Sequence, residues 1–98
     1  MYGTVARLRI KAGHEKAIID GQRQWEKERR PKVKGAIASY LYRLDKDPQA
    51  MMLAVVFKDK ASYFANANDP EQDRWYKEFR QHLERAPQWN DGEVLTAS

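Results

Sequence analysis

Cysteine is absent from this sequence, and turn-forming residues are scarce, with four prolines and five glycines among 98 residues. Without thiols the chain has no disulfide bond, thiolate metal site or cysteine nucleophile, which is compatible with a reducing cytosol. It also lacks any apolar run approaching the roughly 20 residues that a membrane-spanning helix needs. We therefore expect a cytoplasmic protein with no membrane partner, and no export signal ahead of the first strand.

Several motifs that carry chemistry are missing as well. There is no glycine-rich phosphate loop and no G-x-S-x-G nucleophile elbow, which argues against a P-loop nucleotide hydrolase or a serine hydrolase. The two histidines, His14 and His82, are far apart in sequence and have no carboxylate at ligand spacing. We therefore expect no first-row metal site.

Basic residues outnumber acidic ones, with 18 Lys and Arg against 14 Asp and Glu and a net charge of +4. Much of the excess lies in one run, formed by Lys27, Arg29, Arg30, Lys32 and Lys34. A nucleic-acid interface would need this cluster on one face, with aromatic side chains for stacking. Glutamates interrupt the run, Pro31 breaks it, and cations are favoured at a helix C-terminus in any case. We interpret it as a solvated helix end and expect no nucleic-acid partner, with nucleic-acid binding as a remaining alternative.

The first third of the chain predicts a strand followed by a helix. Residues 2–11 alternate in character, which places one set of side chains on a single face: Tyr2, Thr4, Ala6, Leu8 and Ile10. After a turn at Gly13, a narrow apolar stripe predicts a helix over residues 14–30. Pro31 ends this helix, because proline does not fit a helix interior.

Two strands and a second helical region follow. Residues 36–44 and 49–57 are strand-like, and the turn residues 45–48 between them predict a hairpin. The later strand is almost continuously apolar, so we expect it to be covered on both faces. A short turn of helix then carries Tyr63 and Phe64. A longer helix starts at Pro70, with Asp69 as its N-cap, and ends at residues 86–87. A turn at residues 90–92 then leads to a fourth strand over residues 93–97.

This order of elements, β-α-β-β-α-β, is typical of an α+β ferredoxin-like fold with an antiparallel sheet. We expect one domain that spans residues 1–98. Helices cover only one face of such a sheet, yet the other face carries Tyr, Val and Met side chains. Because large exposed apolar patches are unusual on monomers, we expect a homodimer that packs sheet to sheet.

Several segments resemble one known family over almost the whole chain. They are the opening Val-Ala-Arg-Leu-Arg-Ile-Lys-Ala-Gly, the strand after Gly35, the stretch Val-Val-Phe-Lys-Asp-Lys-Ala-Ser-Tyr leading to Asn66 and Asp69-Pro70, and the closing Trp-Asn-Asp-Gly-Glu-Val. In order and spacing they are similar to the antibiotic biosynthesis monooxygenase domain, within the dimeric α+β barrel superfamily. The resemblance implies a homodimer with a pocket between sheet and helices in each subunit. It also implies, for some members, oxidation of polyphenolic or quinol-type substrates by O₂ without metal, flavin or haem, and for others haem degradation.

The resemblance is incomplete where family members place functional residues. Quinone-forming members have an Asn on the third strand and a Trp four residues later, where this chain has Leu53 and Phe57. Leu53 cannot hydrogen-bond a substrate, whereas Phe57 keeps an aromatic wall. The tyrosine early in the next helix is kept as Tyr63, and Tyr76 stands about where an arginine is used. Haem-degrading members use a histidine in the region of His82, but their first-strand Asn and pocket Trp are not matched.

The candidate site residues follow from this resemblance and from side-chain chemistry. Cofactor-free oxygenation leaves the protein to deprotonate and orient the substrate and to exclude water. The candidates for proton handling and hydrogen bonding are Tyr63, Asn66 and Tyr76. The candidates for substrate binding are Phe57, Trp75, Tyr40 and His82. Each aromatic residue could equally belong to the core, and Asn66 could simply satisfy backbone groups between two helices.

Two function hypotheses remain open from the sequence. The first is a small cofactor-independent monooxygenase that acts on an electron-rich aromatic or quinol-like compound. The second is a non-catalytic module, a small-molecule-binding or stress-response protein that holds a hydrophobic ligand in the same pocket. A chemical change in the bound ligand would distinguish the first from the second.

Overall fold

Four strands form one antiparallel sheet in the order β2-β3-β1-β4, and three α-helices accompany it. The computed structural model describes all 98 residues, Met1–Ser98. The elements are β1 (Tyr2–Arg9), α1 (Glu15–Gln24), β2 (Ala36–Leu44), β3 (Asp47–Phe57), α2 (Lys60–Ala67), α3 (Pro70–Arg80) and β4 (Asp91–Glu93). The predicted α+β ferredoxin-like fold with its β-α-β-β-α-β order is confirmed, with the second helical region divided into α2 and α3. No helix is long and apolar enough to cross a bilayer.

Short polar side chains fix where α2 and α3 begin. The carboxylate of Asp59 accepts a hydrogen bond from the backbone N–H of Ser62 at 2.8 Å, which caps α2. The carboxylate of Asp69 accepts from the N–H of Glu71 at 2.9 Å, and Pro70 occupies the first turn of α3. The helix start predicted at Asp69-Pro70 is therefore confirmed, and it follows from the unpaired N–H groups at a helix N-terminus.

The predicted helix over residues 14–30 is shorter and less regular than expected. α1 ends at Gln24, residues Trp25–Arg29 form a π-helical turn, and Arg30–Lys32 form a 3₁₀ turn at Pro31. A π turn inserts an extra residue and so rotates the side chains that follow it. Arg29 is only 8% exposed, which corrects its assignment to a solvated basic run.

The end of the chain also differs from the prediction. α3 ends at Arg80, because the chain then turns to the sheet, where the N–H of Glu84 donates to the carbonyl of Arg9 at 2.9 Å. β4 occupies residues 91–93 instead of 93–97, so the predicted turn residues themselves pair with β1. Asn90 causes this shift: its Nδ2 donates to the carbonyl of Val5 at 2.9 Å, and its backbone N–H donates to Thr4 Oγ1 at 3.2 Å.

The two faces of the sheet have different environments. The face toward the helices carries the predicted alternating set of β1, and a buried core forms there from Ala6, Leu8, Ile10, Ile18, Met51, Leu53 and Leu83. On the opposite face, which we call the open face, Tyr40 and Tyr42 of β2 are 62% and 49% exposed. β3 is therefore covered on one side only within this chain, in contrast to the two-sided cover predicted from its apolar sequence, and Met52 and Val56 are only partly buried there.

Candidate functional site

A cavity of about 690 Å³ lies between the helix-facing side of the sheet and the three helices. Thr4 of β1 and the alternate residues Leu53, Val55 and Phe57 of β3 form its floor, because strand side chains two apart share a face. Its walls include every tryptophan of the chain, Trp25, Trp75 and Trp89. Of 25 lining residues 13 are hydrophobic, so the cavity offers a small ligand both apolar surface and polar groups that can orient it.

An aromatic cluster closes one end of the cavity. The ring of Tyr63 on α2 packs edge to face on Phe57 with 5.6 Å between centroids, and on Tyr2 with 5.3 Å. Phe64, the next residue of α2, lies 5.1 Å from the Tyr63 ring. Such edge-to-face pairs are favourable aromatic geometry, and they hold the Tyr63 ring in one orientation.

The Tyr63 hydroxyl donates a hydrogen bond to Asp91 Oδ1 at 2.8 Å. Burial, followed by this bond to the Asp91 carboxylate, raises the pKa of Tyr63 well above its usual value, while a hydrogen bond that the Tyr63 oxygen accepts from the Thr4 hydroxyl acts in the opposite direction. Tyr63 therefore stays protonated near neutral pH, and its one proton is committed to Asp91. Asp91 also lines the cavity, and the sequence reading missed it because it lies in a segment predicted to be a turn.

A second polar group surrounds Asn66, which lines the cavity one helical turn beyond Tyr63. Nη2 of the buried Arg29 donates to Asn66 Oδ1 at 3.2 Å and to Asp69 Oδ2 at 3.0 Å. The backbone N–H of Glu71, together with the Arg29 guanidinium, lowers the pKa of Asp69 below its usual value. The sequence did not indicate a role for Arg29, because it lies in a run of basic residues that was predicted to be solvent-exposed. In the structure Arg29 ends the π turn and its side chain is buried.

The α3 candidates lie along another wall of the cavity. Trp75 and Tyr76 are half-buried there, and the Tyr76 ring lies 6.3 Å from that of Trp89. His82 reaches the cavity just beyond the end of α3, and its Nδ1 lies 3.0 Å from Nδ1 of His14. The two histidines are thus neighbours despite their separation in sequence. One of the two Nδ1 atoms must be unprotonated to accept this hydrogen bond.

Tyr40 is the one candidate that the structure leaves outside the cavity. It pairs with Ala54 of β3, whereas the cavity floor is formed by the odd-numbered residues of that strand. Its side chain therefore points to the open face, and it does not meet the other six candidates, Phe57, Tyr63, Asn66, Trp75, Tyr76 and His82. No group of three or more His, Cys, Asp or Glu side chains is arranged to share a metal ion.

Comparisons with known proteins identify the fold. No protein-family model matches the chain, and no curated protein matches it significantly. Among solved structures, a protein of Nitrosomonas europaea superposes with a TM-score of 0.82 at 14% identity, covering 96% of this chain and 89% of the other. One from Bordetella bronchiseptica gives 0.81 at 18% identity, with 97% of each chain covered. Both carry the name "putative antibiotic biosynthesis monooxygenase".

A third structure, named antibiotic biosynthesis monooxygenase, has a TM-score of 0.77 at 18% identity and covers 98% of this chain and all of its own. The protein is therefore an α+β domain of the ferredoxin-like class. More particularly, its fold is that of the antibiotic biosynthesis monooxygenase structures, so the resemblance noted in the sequence is confirmed at the level of fold.

Proposed function

We propose that the protein is a cofactor-independent monooxygenase that acts on an electron-rich aromatic compound bearing a hydroxyl group. One observation carries this proposal: the Tyr63–Asp91 hydrogen bond of 2.8 Å lies on the wall of a large aromatic cavity. The names of the structures that share the fold support the same reaction class. The apolar cavity would exclude water from a reactive carbanion.

The reaction begins with loss of the substrate's hydroxyl proton. Because the Tyr63 proton points to Asp91, the Tyr63 oxygen can only accept, so the substrate hydroxyl donates to it. As that proton moves to Tyr63, the Tyr63 proton moves to the Asp91 carboxylate, and the substrate becomes an enolate or phenolate. Its carbanion reacts directly with O₂. An anthrone-type substrate would bind as its enol tautomer, so that loss of the enol O–H proton leaves carbanion character at the former CH₂ carbon. Addition of O₂ at this carbon and loss of water convert it to C=O, with one oxygen atom entering the product and the other leaving as water.

Oxygen uptake tests the proposal. Metal-stripped protein is supplied with a panel of hydroquinones, anthrones and flavonols, and the rate is compared with autoxidation. Tyr63→Phe and Asp91→Asn should each lower kcat by about 100-fold, since each interrupts the proton path. Tyr42→Phe is the matched control, because Tyr42 lies on the open face. Unchanged turnover in Tyr63→Phe on a proven substrate would exclude this mechanism.

Binding without chemistry is the second candidate function. Leu53 favours it, because this residue lines the cavity with an apolar side chain where quinone-forming relatives have a hydrogen-bonding Asn. The binding module predicts saturable uptake of an aromatic ligand that is recovered unchanged. Mass analysis of the ligand after aerobic incubation separates the two candidates.

We propose further that two copies associate through the open face. Val5 of β1 and Tyr40 and Tyr42 of β2 are large apolar side chains left exposed there. A second copy placed sheet to sheet would cover them. Light scattering should give the mass of a dimer, and Tyr42→Asp should give that of a monomer. A monomeric wild type would exclude this arrangement.

The cytoplasmic location expected from the cysteine-free sequence stays a prediction.

A further inference from the structure

The orientation of the Asn66 side chain is determined by its neighbour. A guanidinium group has only N–H donors, so the atom of the Asn66 amide that faces Arg29 must be the acceptor Oδ1, as the distance of 3.2 Å to Nη2 indicates. A flipped amide would set donor against donor. The Nδ2 group is therefore the free end of the amide, it makes no hydrogen bond within the protein, and Asn66 lines the cavity.

Arg29 is fixed in turn by its surroundings. Its side chain is 9% exposed, and the same Nη2 donates to Asp69 Oδ2 at 3.0 Å. Asp69 is itself held by the N–H of Glu71 at the start of α3. Arg29 thus acts as a positioning residue. It binds the Oδ1 end of the Asn66 amide and so leaves the Nδ2 end available to a ligand.

Tyr63 has the opposite hydrogen-bonding role, because it can accept a hydrogen bond from a ligand but has no proton left to donate. Its proton is donated to Asp91, so the Tyr63 oxygen can only accept: it accepts from the Thr4 hydroxyl, and its remaining lone pair is available to a ligand in the cavity. Tyr63 and Asn66 are three residues apart on α2, and residues at this spacing lie on one face of a helix, about 5–6 Å apart at Cβ. One helix turn therefore carries an acceptor and a donor that both line the cavity.

We propose that the cavity selects aromatic hydroxy-carbonyl compounds, with the ligand hydroxyl donating to the Tyr63 oxygen and the ligand carbonyl or enolate oxygen accepting from Asn66 Nδ2. The inference rests on the proposed function for turnover, which it deepens by specifying the substrate class. The selectivity itself is a property of binding, so it is measurable without any reaction.

Equilibrium dialysis with three probes tests this assignment. The probes are 3-hydroxyflavone, which has both groups, flavone, which has only the carbonyl, and 2-naphthol, which has only the hydroxyl. Asn66→Asp should weaken binding of both carbonyl probes by about tenfold or more and change that of 2-naphthol by less than about twofold. Tyr63→Phe should give the crossed result, weakening both hydroxyl probes and sparing flavone.

Two further variants separate positioning from general damage. Asn68→Asp makes the same chemical change two residues away, on an exposed side chain outside the cavity, and should alter no probe. Arg29→Met should weaken the carbonyl probes several-fold, because the Asn66 amide is then free to rotate. Arg29→Lys, which keeps a donor for Oδ1, should restore part of that loss.

Three outcomes would overturn the assignment. They are no binding of 3-hydroxyflavone by the wild type, no effect of Asn66→Asp on any probe, and an equal loss of all three probes in Asn66→Asp. Oxygen uptake is judged separately. The crossed pattern without uptake on any substrate would support the selectivity and count against the oxygenase, whereas uptake without the pattern would do the reverse.

Discussion

The same face of the sheet is packed at one end and hollow at the other. At the packed end Leu8, Ile10, Ile18, Met51 and Leu83 are each only 1% exposed and form one continuous core. At the hollow end, beyond Leu53, helices α2 and α3 contain no fully buried residue, and the cavity of about 690 Å³ takes the place of a core. Both ends are built on the same two strands, β1 and β3.

This difference separates stability from binding. A small domain buries a smaller share of its unfolded-chain surface than a large one, so we expect the fully buried side chains of the packed end to carry much of the free energy of folding. The hollow end leaves Trp25, Trp75 and Trp89 facing a space in which a ligand can complete their burial. Substitutions at the two ends should therefore affect different measurements.

Leu83→Ala should give the largest effect. Its buried side chain packs against the core of the sheet, and truncation of a buried leucine costs about 2–5 kcal/mol through lost burial and the cavity left behind. Urea unfolding should show this loss in the midpoint. Leu95→Ala is the control, since Leu95 is 88% exposed and should change stability by less than about 0.5 kcal/mol. Equal losses of stability in the two variants would contradict the assignment of Leu83 to a tightly packed core.

Trp75→Ala should give a smaller loss of stability despite removing a larger side chain. A fully buried tryptophan costs about 3–5 kcal/mol on truncation, but Trp75 is half-buried at the edge of the cavity, so we expect about 1–2 kcal/mol. Binding of an aromatic probe such as 3-hydroxyflavone should instead fall by about tenfold, because stacking surface is lost. A stability loss equal to that of Leu83→Ala would show that Trp75 belongs to the core.

The packed end was predictable from sequence, and the hollow end was predictable only in part. Alternation in β1 and the Asp69-Pro70 start of α3 depend on neighbours in sequence, so local pattern predicts them. Arg29 contacts Asn66 from the end of a π turn, and Asp91 contacts Tyr63 from a strand that Asn90 hydrogen-bonds to β1. Neither feature has a local sequence signal.

Sequence separation explains the remaining differences. The His14–His82 contact joins residues 68 positions apart, and no local rule relates them. Tyr40 shows the reverse case, because its side chain had the right chemistry but the strand pairing turned it to the open face. Side-chain type indicated a candidate, while the register decided whether it reached the cavity.

Gly21→Ala should slightly increase the stability of the folded protein through helix α1 at the hollow end. Gly21 lies within α1 on the cavity wall, and an added Cβ would meet no atom within 4 Å. Replacing glycine by alanine inside a helix stabilises by about 0.5–1 kcal/mol, so the thermal midpoint should rise. Gly35→Ala is the contrast, because Gly35 has φ of +85° and its Cβ would lie 2.6 Å from the Ser62 side chain. Gly35→Ala should therefore be destabilised. Stabilisation of both variants would contradict the positive φ and the close Ser62 contact described at Gly35.

Asp69→Asn tests whether acid weakens the hollow end, and it should have the smallest effect. The folded-state pKa of Asp69 is lowered from its usual 3.8 by the Glu71 N–H and by Arg29. A lowered pKa contributes stability that is present above that usual value and is lost as the pH falls through the folded-state pKa. Urea midpoints measured from about pH 5 down to about pH 2.5 should therefore fall less steeply in Asp69→Asn than in the wild type. Some slope should remain, because the pKa of Asp59 at the start of α2 is also lowered. Identical slopes in the two proteins would show that the Asp69 carboxylate, with its Glu71 N–H and Arg29 partners, contributes no pH-dependent stability.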